Sequence, residues 1–436
     1  MRFAPVMLAL LLALSPGAVA MQASAPTGPA EQNPAVTTDA PVSTNATETD
    51  TAALDTARPA ISGNTTAVLT LGTEPDRAEF DSPSVSLGDS LEADNGEFRS
   101  DLDVKTLDQR LDNAGSNEAE KRILNQYRYQ LENRIISLET RERRAASEFS
   151  NGSITANQYV RTLGQIDAEA DEIRTSIRVL RDRVREVPNF AMPNIERTLG
   201  GKLISLEGPV RDRVAKTLQG ATDSPRIYVQ TAESGVVLTM ITDRQYVREA
   251  YRPDNRDLGS GSPLSREEAE NQVIRPQYPW VLNNSPIASH SAYSSLQMVE
   301  YSYEHSHGNL TAYVDTGTEE VYREVQYKSL SGTQSLPPGP GVRNTTTSQF
   351  GDENVTLTVN RTYAGGPLRV ELANETGEPL DGEVTVDDEY TIQTGDDGVV
   401  WTLGPSEQFR VSATYEGATV EVDVAPVALE ATTSED

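Results

Sequence analysis

The sequence lacks cysteine altogether, and it contains three histidines and, among its 37 basic residues, five lysines. Without cysteine the chain forms no disulfide and no thiolate metal site, and it carries no lipid-modified N-terminal cysteine. Neither the HExxH zinc motif nor the GxSxG nucleophile motif occurs. These absences predict a protein that holds no metal and no cofactor and has no catalytic residues.

Three alternatives remain among the polar residues. His305 and His307 would project from one face of a strand, where they could bind a metal. Asp396 and Asp397 could contact calcium, and His290 could serve a Ser-His-Asp triad. A strand end and a turn explain these residues more simply, so none of them is assigned a site.

Acidic residues outnumber basic ones by 66 to 37, which gives the chain a formal net charge of −29. Such a surface repels itself in dilute buffer, and molar salt screens the repulsion because the Debye length falls to about 3 Å. The acid-rich, lysine-poor composition therefore predicts a protein of a halophilic archaeon. It also argues against a nucleic-acid partner, since phosphate binding requires clustered cations.

Residues 1–20 have the pattern of a cleaved secretory signal peptide. Arg2 precedes an apolar run from Pro5 to Leu14, which is shorter than the ~20 residues that span a bilayer. Ala18-Val19-Ala20 fits a signal peptidase, so we place cleavage after Ala20; an uncleaved anchor helix is the alternative. We expect a secreted or cell-surface protein with no transmembrane anchor after cleavage.

The segments that flank the folded core are poor in large apolar residues. Residues 21–60 form a Thr/Ala/Pro-rich stalk that we expect to be disordered, and residues 427–436 form a disordered acidic tail. Residues 61–115 predict a short strand at Asn64–Leu71 and a short helix at 101–113. That helix would present Leu102, Leu107 and Leu111 on one face.

Residues 116–188 have the strongest periodicity of the chain. Apolar residues recur at alternating steps of four and three from Tyr159 to Val187, a heptad pattern over four repeats. Thr155 and Gln158 form a capping box at its start, and a turn around Gly152 would fold the chain back. The pattern predicts a long antiparallel coiled-coil hairpin, with a homodimer through the same heptads as the alternative. The hairpin would place two acidic residues near three basic ones: Glu118 and Glu120 near Arg181, Arg183 and Arg185.

Residues 200–330 alternate between helical and strand patterns, as expected for two units, 200–258 and 262–330, each a helix followed by three strands. Pro209 begins a helix that Gly220 ends, and Ser265 caps a second one with Glu268. A repeated Arg-Glu dipeptide in the third strands suggests an internal repeat: Arg248-Glu249 and Arg323-Glu324.

A linker at 331–350 leads to short alternating strands at 351–426, which predict a β-sandwich. The expected fold class is therefore α+β and multidomain. It combines a long antiparallel helical hairpin, tandem helix-plus-three-strand units and a C-terminal β-sandwich.

Nine Asn-x-Ser/Thr sequons occur in the chain. Several lie at predicted turns, where a glycan is tolerated, so we expect part of them to be modified. The candidate glycosylation sites are Asn45, Asn64, Asn151, Asn309, Asn344, Asn354, Asn360 and Asn374. The ninth sequon, at Asn283, is less favourable because Pro286 follows its serine.

The arrangement resembles known extracytoplasmic proteins. The stretch from Asn64-Thr-Thr-Ala-Val-Leu through the hairpin is similar to haloarchaeal exported proteins of unknown function. Arg248-Glu-Ala-Tyr251 and Leu310-Thr-Ala-Tyr-Val-Asp315 resemble PepSY-type αβ modules, some of which restrain peptidases. Gly377-Glu-Pro-Leu-Asp-Gly-Glu-Val384 resembles Ig-like or carboxypeptidase-regulatory-like sandwiches. The resemblance implies location and architecture rather than chemistry.

Three functions follow as hypotheses. The first is an exported, non-catalytic interaction or scaffold protein that binds a protein partner at the cell surface. The second is an inhibitor-like regulator of an extracytoplasmic peptidase, acting through the PepSY-like modules. The third is a hydrolase without a recognisable motif. The tyrosines between Tyr278 and Tyr327 could form an interface, although Tyr is also favoured in packed sheets.

Overall fold

The computed structural model describes residues 67–429 except 243, 260, 331–341 and 351–352. The predicted signal peptide, the stalk and the end of the acidic tail lie outside these residues. The described part is an α+β fold with three antiparallel sheets. None of its helices is both long and apolar enough to cross a membrane.

Five helices precede the main part of the first sheet: α1 (Leu87–Asp112), α2 (Asn117–Ser150), α3 (Ala156–Glu186), α4 (Ile195–Leu203) and α5 (Pro209–Leu218). The Ser116 side chain caps α2, and Thr155 with Gln158 forms the predicted capping box of α3. Helix α5 begins at Pro209 as predicted, and Gly220 follows it at a φ of 75°.

Helices α2 and α3 pack side by side and share a core that includes Leu138 and Ile166. The Arg141 guanidinium donates to Gln165 across the pair. Helix α1 lies beside both, and Arg134 of α2 lies 3.9 Å from Asp103 of α1. The helices therefore form a layer of at least three members, and the coiled-coil geometry stays a prediction.

Charged residues predicted to lie near one another along the hairpin form ion pairs with other residues. Glu118 pairs with Lys121 on its own helix at 2.8 Å. Arg181 pairs with Glu196 of α4, and Arg183 with Asp108 of α1. The prediction considered α2 and α3 as an isolated pair, whereas α4 and α1 supply carboxylates to Arg181 and Arg183.

An eight-stranded antiparallel sheet forms the centre of the fold. Its strands are β1 (Arg77–Asp81), β2 (Ile227–Ala232), β3 (Gly235–Thr242), β4 (Gln245–Tyr251), β5 (Ile287–Tyr293), β6 (Met298–His305), β7 (Gly308–Asp315) and β8 (Glu320–Ser329). Their spatial order is β1-β2-β3-β4-β8-β7-β6-β5. The two predicted three-strand units therefore share one sheet, joined where β4 pairs with β8.

The repeated Arg-Glu dipeptide does not mark equivalent positions. Ala250 lies opposite Glu324 and Tyr251 opposite Arg323, and side chains alternate along a strand. Arg248 and Glu324 therefore share one face of the sheet, while Glu249 and Arg323 share the other. The two arginines therefore lie on opposite faces of the sheet, and so do the two glutamates.

Short helices cover the second half of the sheet on the Arg248 face. They are α6 (Arg266–Ala269), a π-helical turn (Glu270–Ile274), α7 (Arg275–Gln277) and α8 (Pro279–Asn284). Ser265 and Glu268 form the predicted capping box. Tyr278 and Val281 of this helical segment share a core with Tyr301 and Tyr303 of β6.

Several predicted boundaries are wrong. Helix α1 begins at Leu87 rather than near residue 101, and Leu102 is exposed instead of packed. Residues 67–71 of the predicted first strand are irregular, and the strand lies at Arg77–Asp81 instead. The predicted linker contains a strand at Val342–Phe350, since a Thr-rich run pairs readily at a sheet edge.

The C-terminal strands form two four-stranded sheets that enclose an apolar core, as a β-sandwich requires. The strands are β9 (Val342–Phe350), β10 (Glu353–Arg361), β11 (Pro367–Asn374), β12 (Glu383–Val386), β13 (Tyr390–Gln393), β14 (Val399–Leu403), β15 (Phe409–Tyr415) and β16 (Ala418–Val424). One sheet has the order β14-β11-β10-β9 and the other β13-β12-β15-β16.

The β10–β11 loop docks the sandwich onto the central sheet. Gly365 has a φ of 68°, and any Cβ there would overlap the Tyr228 ring. Its carbonyl accepts from the Thr239 hydroxyl at 2.7 Å and from the Tyr246 hydroxyl at 3.2 Å. Glycine at 365 therefore allows the close contact that joins the sandwich to the sheet.

Candidate functional site

A cleft of ≈ 850 Å³ opens between α2 and the central sheet. Helix α2 forms one wall of the cleft. The β2–β3 turn, the end of β4 and the segment 253–258, which follows β4, form the opposite wall. We call it the helix–sheet cleft, and its lining comprises Asp76, Glu139, Glu142, Arg143, Ala146, Ser147, Ser150, Tyr159, Ser205, Ala232, Glu233, Gly235, Val236, Tyr251, Pro253, Arg256, Asp257 and Leu258.

The walls of the helix–sheet cleft combine apolar surface with negative charge. Ala146, Val236 and Tyr251 supply apolar contact area, and Leu258 at the rim is 55% exposed. Carboxylates outnumber cations around the opening. The guanidinium of Arg256, one of these cations, forms an ion pair with the Asp315 carboxylate at 2.6 Å. The cleft therefore suits an apolar group that carries positive charge.

At the floor of the cleft, the lining residue Glu142 rests on a cluster of buried ions. The Arg211 guanidinium of α5 lies 2.6 Å from the Glu142 carboxylate of α2 and 3.3 Å from the Glu249 carboxylate of β4. All three residues are buried. Burial alone would lower the pKa of Arg211, but the two carboxylates outweigh burial and raise it. The arginine therefore stays charged and holds helix α2, helix α5 and strand β4 together.

Asp167 of α3 is a fourth ionisable group in the buried cluster beneath this floor, and it lines a separate cavity of ≈ 500 Å³ between α1, α3 and α5. The Oδ1 atom of its carboxyl group accepts from the Gly208 N–H at 2.8 Å. Burial raises the pKa of Asp167 to about 8, helped by the Glu249 charge and opposed by the Gly208 hydrogen bond. Glycine suits position 208 because a Cβ there would overlap the Glu249 carboxylate. Asp167 therefore holds its proton at neutral pH.

Sequence reasoning missed this floor, although a signal was present. Glu142 falls between Leu138 and Ala145 on the buried stripe of α2, where an apolar residue is expected. Asp167 likewise falls on the buried stripe of α3, between Leu163 and Ala170. A carboxylate at a core position of a helix predicts a buried cationic partner.

A second buried ion pair lies on the opposite face of the sheet. Arg248 contacts Glu324 at 2.6 Å, and neither residue is more than 3% exposed. The Glu324 carboxylate also accepts from the Leu69 N–H at 2.6 Å and from the Tyr278 hydroxyl at 2.8 Å. This pair attaches the segment around Leu69 and the short helices to the sheet, so its role is structural.

The three histidines do not form a site together. His305 and His307 both pack against Trp280, with ring centroids 5.3 and 5.4 Å away. Burial lowers the pKa of His305, and with the added effect of Lys328 and His307 that pKa falls to about 4. His290 contacts Arg266 rather than a carboxylate, which does not suit a catalytic base. Across the described ranges, no group of three or more His, Asp or Glu could hold a metal ion.

The other sequence candidates are scattered. Asp397 accepts from the Val399 N–H at 3.2 Å within the predicted turn. Tyr301, Tyr303 and Tyr322 of the tyrosine-rich region are buried in the sheet core. These positions are consistent with turn and packing roles.

The sequons differ in accessibility. Asn151 is exposed at the end of α2, and the side chains of Asn309, Asn354 and Asn374 are partly exposed. Asn360 is 8% exposed, so a glycan there has no path to solvent without local rearrangement. Asn45 and Asn64 and the side chain of Asn344 lie outside the described residues. Asn151 is the most accessible of the described candidates.

Helix α1 carries a second surface feature. Leu87, Leu91, Phe98 and Leu102 are 51–76% exposed. Their spacing of four, seven and four places them within roughly 60° around the helix axis. A line of exposed apolar side chains indicates an interaction surface.

Comparison with known families covers nearly the whole chain. The profile described as Domain of unknown function (DUF7096) matches residues 1–223, and Family of unknown function (DUF7094) matches residues 227–334. The Archaeal fibronectin-III type-like domain matches residues 345–422, which agrees with the β-sandwich. No curated protein matches the sequence. Because the first profile covers 223 of 436 residues, more than half, the chain belongs to the family described as Domain of unknown function (DUF7096).

Proposed function

We propose that the protein is an exported, non-catalytic interaction protein at the surface of a halophilic archaeon. In this proposal the helix–sheet cleft binds a segment of the protein partner. The observation that carries the proposal is the preformed cleft itself, since buried ion pairs fix its floor and apolar residues form its walls. A cleft that is already formed binds with a smaller loss of conformational entropy.

The chemistry of the cleft defines the partner segment. Apolar walls favour an aliphatic or aromatic side chain, and the carboxylates of Glu139, Glu233 and Asp257 favour a neighbouring Lys or Arg. The exposed apolar line on α1 provides a second contact area for the same or another partner.

The charged groups of the cleft support binding rather than catalysis. Glu142 and Glu249 both form ion pairs with Arg211, which lies between them. Burial raises the pKa of Asp167, but Asp167 does not line this cleft and instead lines a separate cavity between α1, α3 and α5, so it places no proton donor in the cleft. The export and halophily parts of the proposal derive from residues 1–20 and from the acidic composition. Glycans on accessible sequons such as Asn151 would be compatible with them.

A matched pair of tryptophan variants tests the proposal. Ser147 lies on the cleft side of α2, and Ser137 is exposed elsewhere on the same helix. Ser147→Trp would fill the opening, so we expect capture of the partner in molar salt to fall about tenfold or more, a loss near 1.4 kcal/mol. Ser137→Trp should leave capture unchanged.

Equal capture by both variants and the wild type would refute the cleft as the binding site. If the captured partner is a peptidase whose activity falls on binding, the protein is a regulator of the kind expected for PepSY-like modules. Hydrolytic activity of the purified wild-type chain would refute the non-catalytic part.

A further inference from the structure

Strand β5 (Ile287–Tyr293) is the last strand of the central sheet. Among the strands that the structure describes, it pairs only with β6. Ile287, Ala288, Ser289 and His290 are all exposed. One side of this strand therefore offers main-chain N–H and C=O groups for a further strand.

The two ends of the sheet are protected differently. At the opposite end, β1 carries Arg77, Glu79 and Asp81 within five residues. Charged residues of this kind normally prevent edge strands from pairing with other chains. In β5, the sequence Ile-Ala-Ser-His-Ser-Ala-Tyr contains no Asp, Glu, Lys, Arg or Pro. In a chain with a net charge of −29, an uncharged edge strand of seven residues, four of them exposed, is unusual.

The sequence of β5 is nearly palindromic about His290. Ser289 and Ser291 flank it, Ala288 and Ala292 lie outside them, and Ile287 and Tyr293 form the ends. In an antiparallel pair of two copies centred on His290, serine faces serine and alanine faces alanine. Ile287 faces Tyr293 of the second copy, which is a favourable aliphatic–aromatic pair.

The two faces of the strand fit such a pairing. Side chains alternate, so Ala288, His290 and Ala292 share one face, and His290 lies beside Arg266 there. Ile287, Ser289, Ser291 and Tyr293 share the other face. Small residues near the centre allow close approach, and the larger side chains at the ends supply apolar contact.

We propose that two copies of this chain form a twofold-symmetric dimer through antiparallel pairing of their β5 strands, centred on His290. The pairing would join two eight-stranded sheets into one continuous sheet. A twofold interface needs a self-complementary patch, and a palindromic edge strand provides one. The heptad residues of α3 are not free for a dimer, because Leu163, Ile173 and Leu180 lie in cores within one chain.

Cysteine cross-linking tests the register, since the chain has no cysteine of its own. With His290→Cys, the two introduced thiols would face each other at a Cα separation of about 4.5–5.5 Å, which a disulfide spans. We expect mild oxidation of the full chain in molar salt to give a covalent dimer. Ser289→Cys is the matched control, because its thiol would face Ser291 and lie diagonally from its own copy at about 7–8 Å. Ser289→Cys should cross-link at least about tenfold more slowly.

A second measurement avoids the introduced thiols. Light scattering during size exclusion should give the wild type twice the mass of one chain at micromolar concentration. The double substitution Ser289→Glu with Ser291→Glu places like charges across the pair and should give the mass of a monomer. A monomeric wild type, or equal cross-linking by His290→Cys and Ser289→Cys, would overturn the proposal. Neither result bears on the helix–sheet cleft, whose lining includes no residue of β5.

Discussion

Replacing Arg211 by methionine should lower the free energy of unfolding by about 3–5 kcal/mol. The substitution keeps most of the side-chain volume but removes the charge between Glu142 and Glu249. Two carboxylates would then remain buried without a cation, and this costs more than the pair contributed. Urea unfolding at a fixed molar salt concentration measures the loss.

Arg213 supplies the control on the same helix. It is only partly buried, and its guanidinium donates to the Asp223 carbonyl at 3.2 Å. Arg213→Met should cost below about 1 kcal/mol. Adding Glu142→Gln and Glu249→Gln to Arg211→Met should recover part of the loss, because the uncompensated charges are gone. A loss no larger for Arg211→Met than for Arg213→Met would contradict the assignment of Arg211 as the centre of the cleft floor.

Replacing Asp167 by asparagine should change how stability depends on pH. The folded state raises the pKa of Asp167 from 3.8 to about 8, so the folded chain binds a proton that the unfolded chain releases. This contribution is fully present below about pH 4 and is lost as pH rises through about 8. The amide introduced by Asp167→Asn would need no proton, so at pH 9 the variant should be more stable than the wild type by on the order of 2–4 kcal/mol.

Urea unfolding between pH 5 and pH 9 measures this difference as a function of pH. Asp171→Asn, one turn further along α3 and exposed, should leave the pH profile of the wild type unchanged. A parallel pH profile for Asp167→Asn and the wild type would contradict the buried, protonated state of Asp167.

Elements with strong local patterns could be predicted from the sequence. Helix α3 has an unbroken apolar stripe and a capping box, and both occur in the structure. Pro209 predicts the start of helix α5. Alternating apolar and polar residues on either side of a turn at Gly235 predict the hairpin of β2 and β3. Helix α1 was mostly missed because only Leu107 among its large apolar residues is buried, so its sequence lacks a clear core face.

Pairing between distant strands could not be predicted in the same way. Alternation identified β4 and β8 as strands, but nothing local indicates that they are neighbours. The cleft depends on such contacts, since Glu142, Arg211 and Glu249 come from three elements. The apolar periodicity of α2 shows that Glu142 occupies a position where an apolar residue is expected. Only the fold identifies Arg211 as its partner.

Photo-cross-linking in living cells tests most directly whether the helix–sheet cleft is the partner-binding site. A photoreactive phenylalanine analogue at position 147 would point into the cleft, and the same analogue at position 137 would lie on α2 outside the cleft lining. We predict a covalent adduct with a second protein from position 147 and none from position 137. Adducts of equal yield from both positions, or none from position 147, would contradict the account.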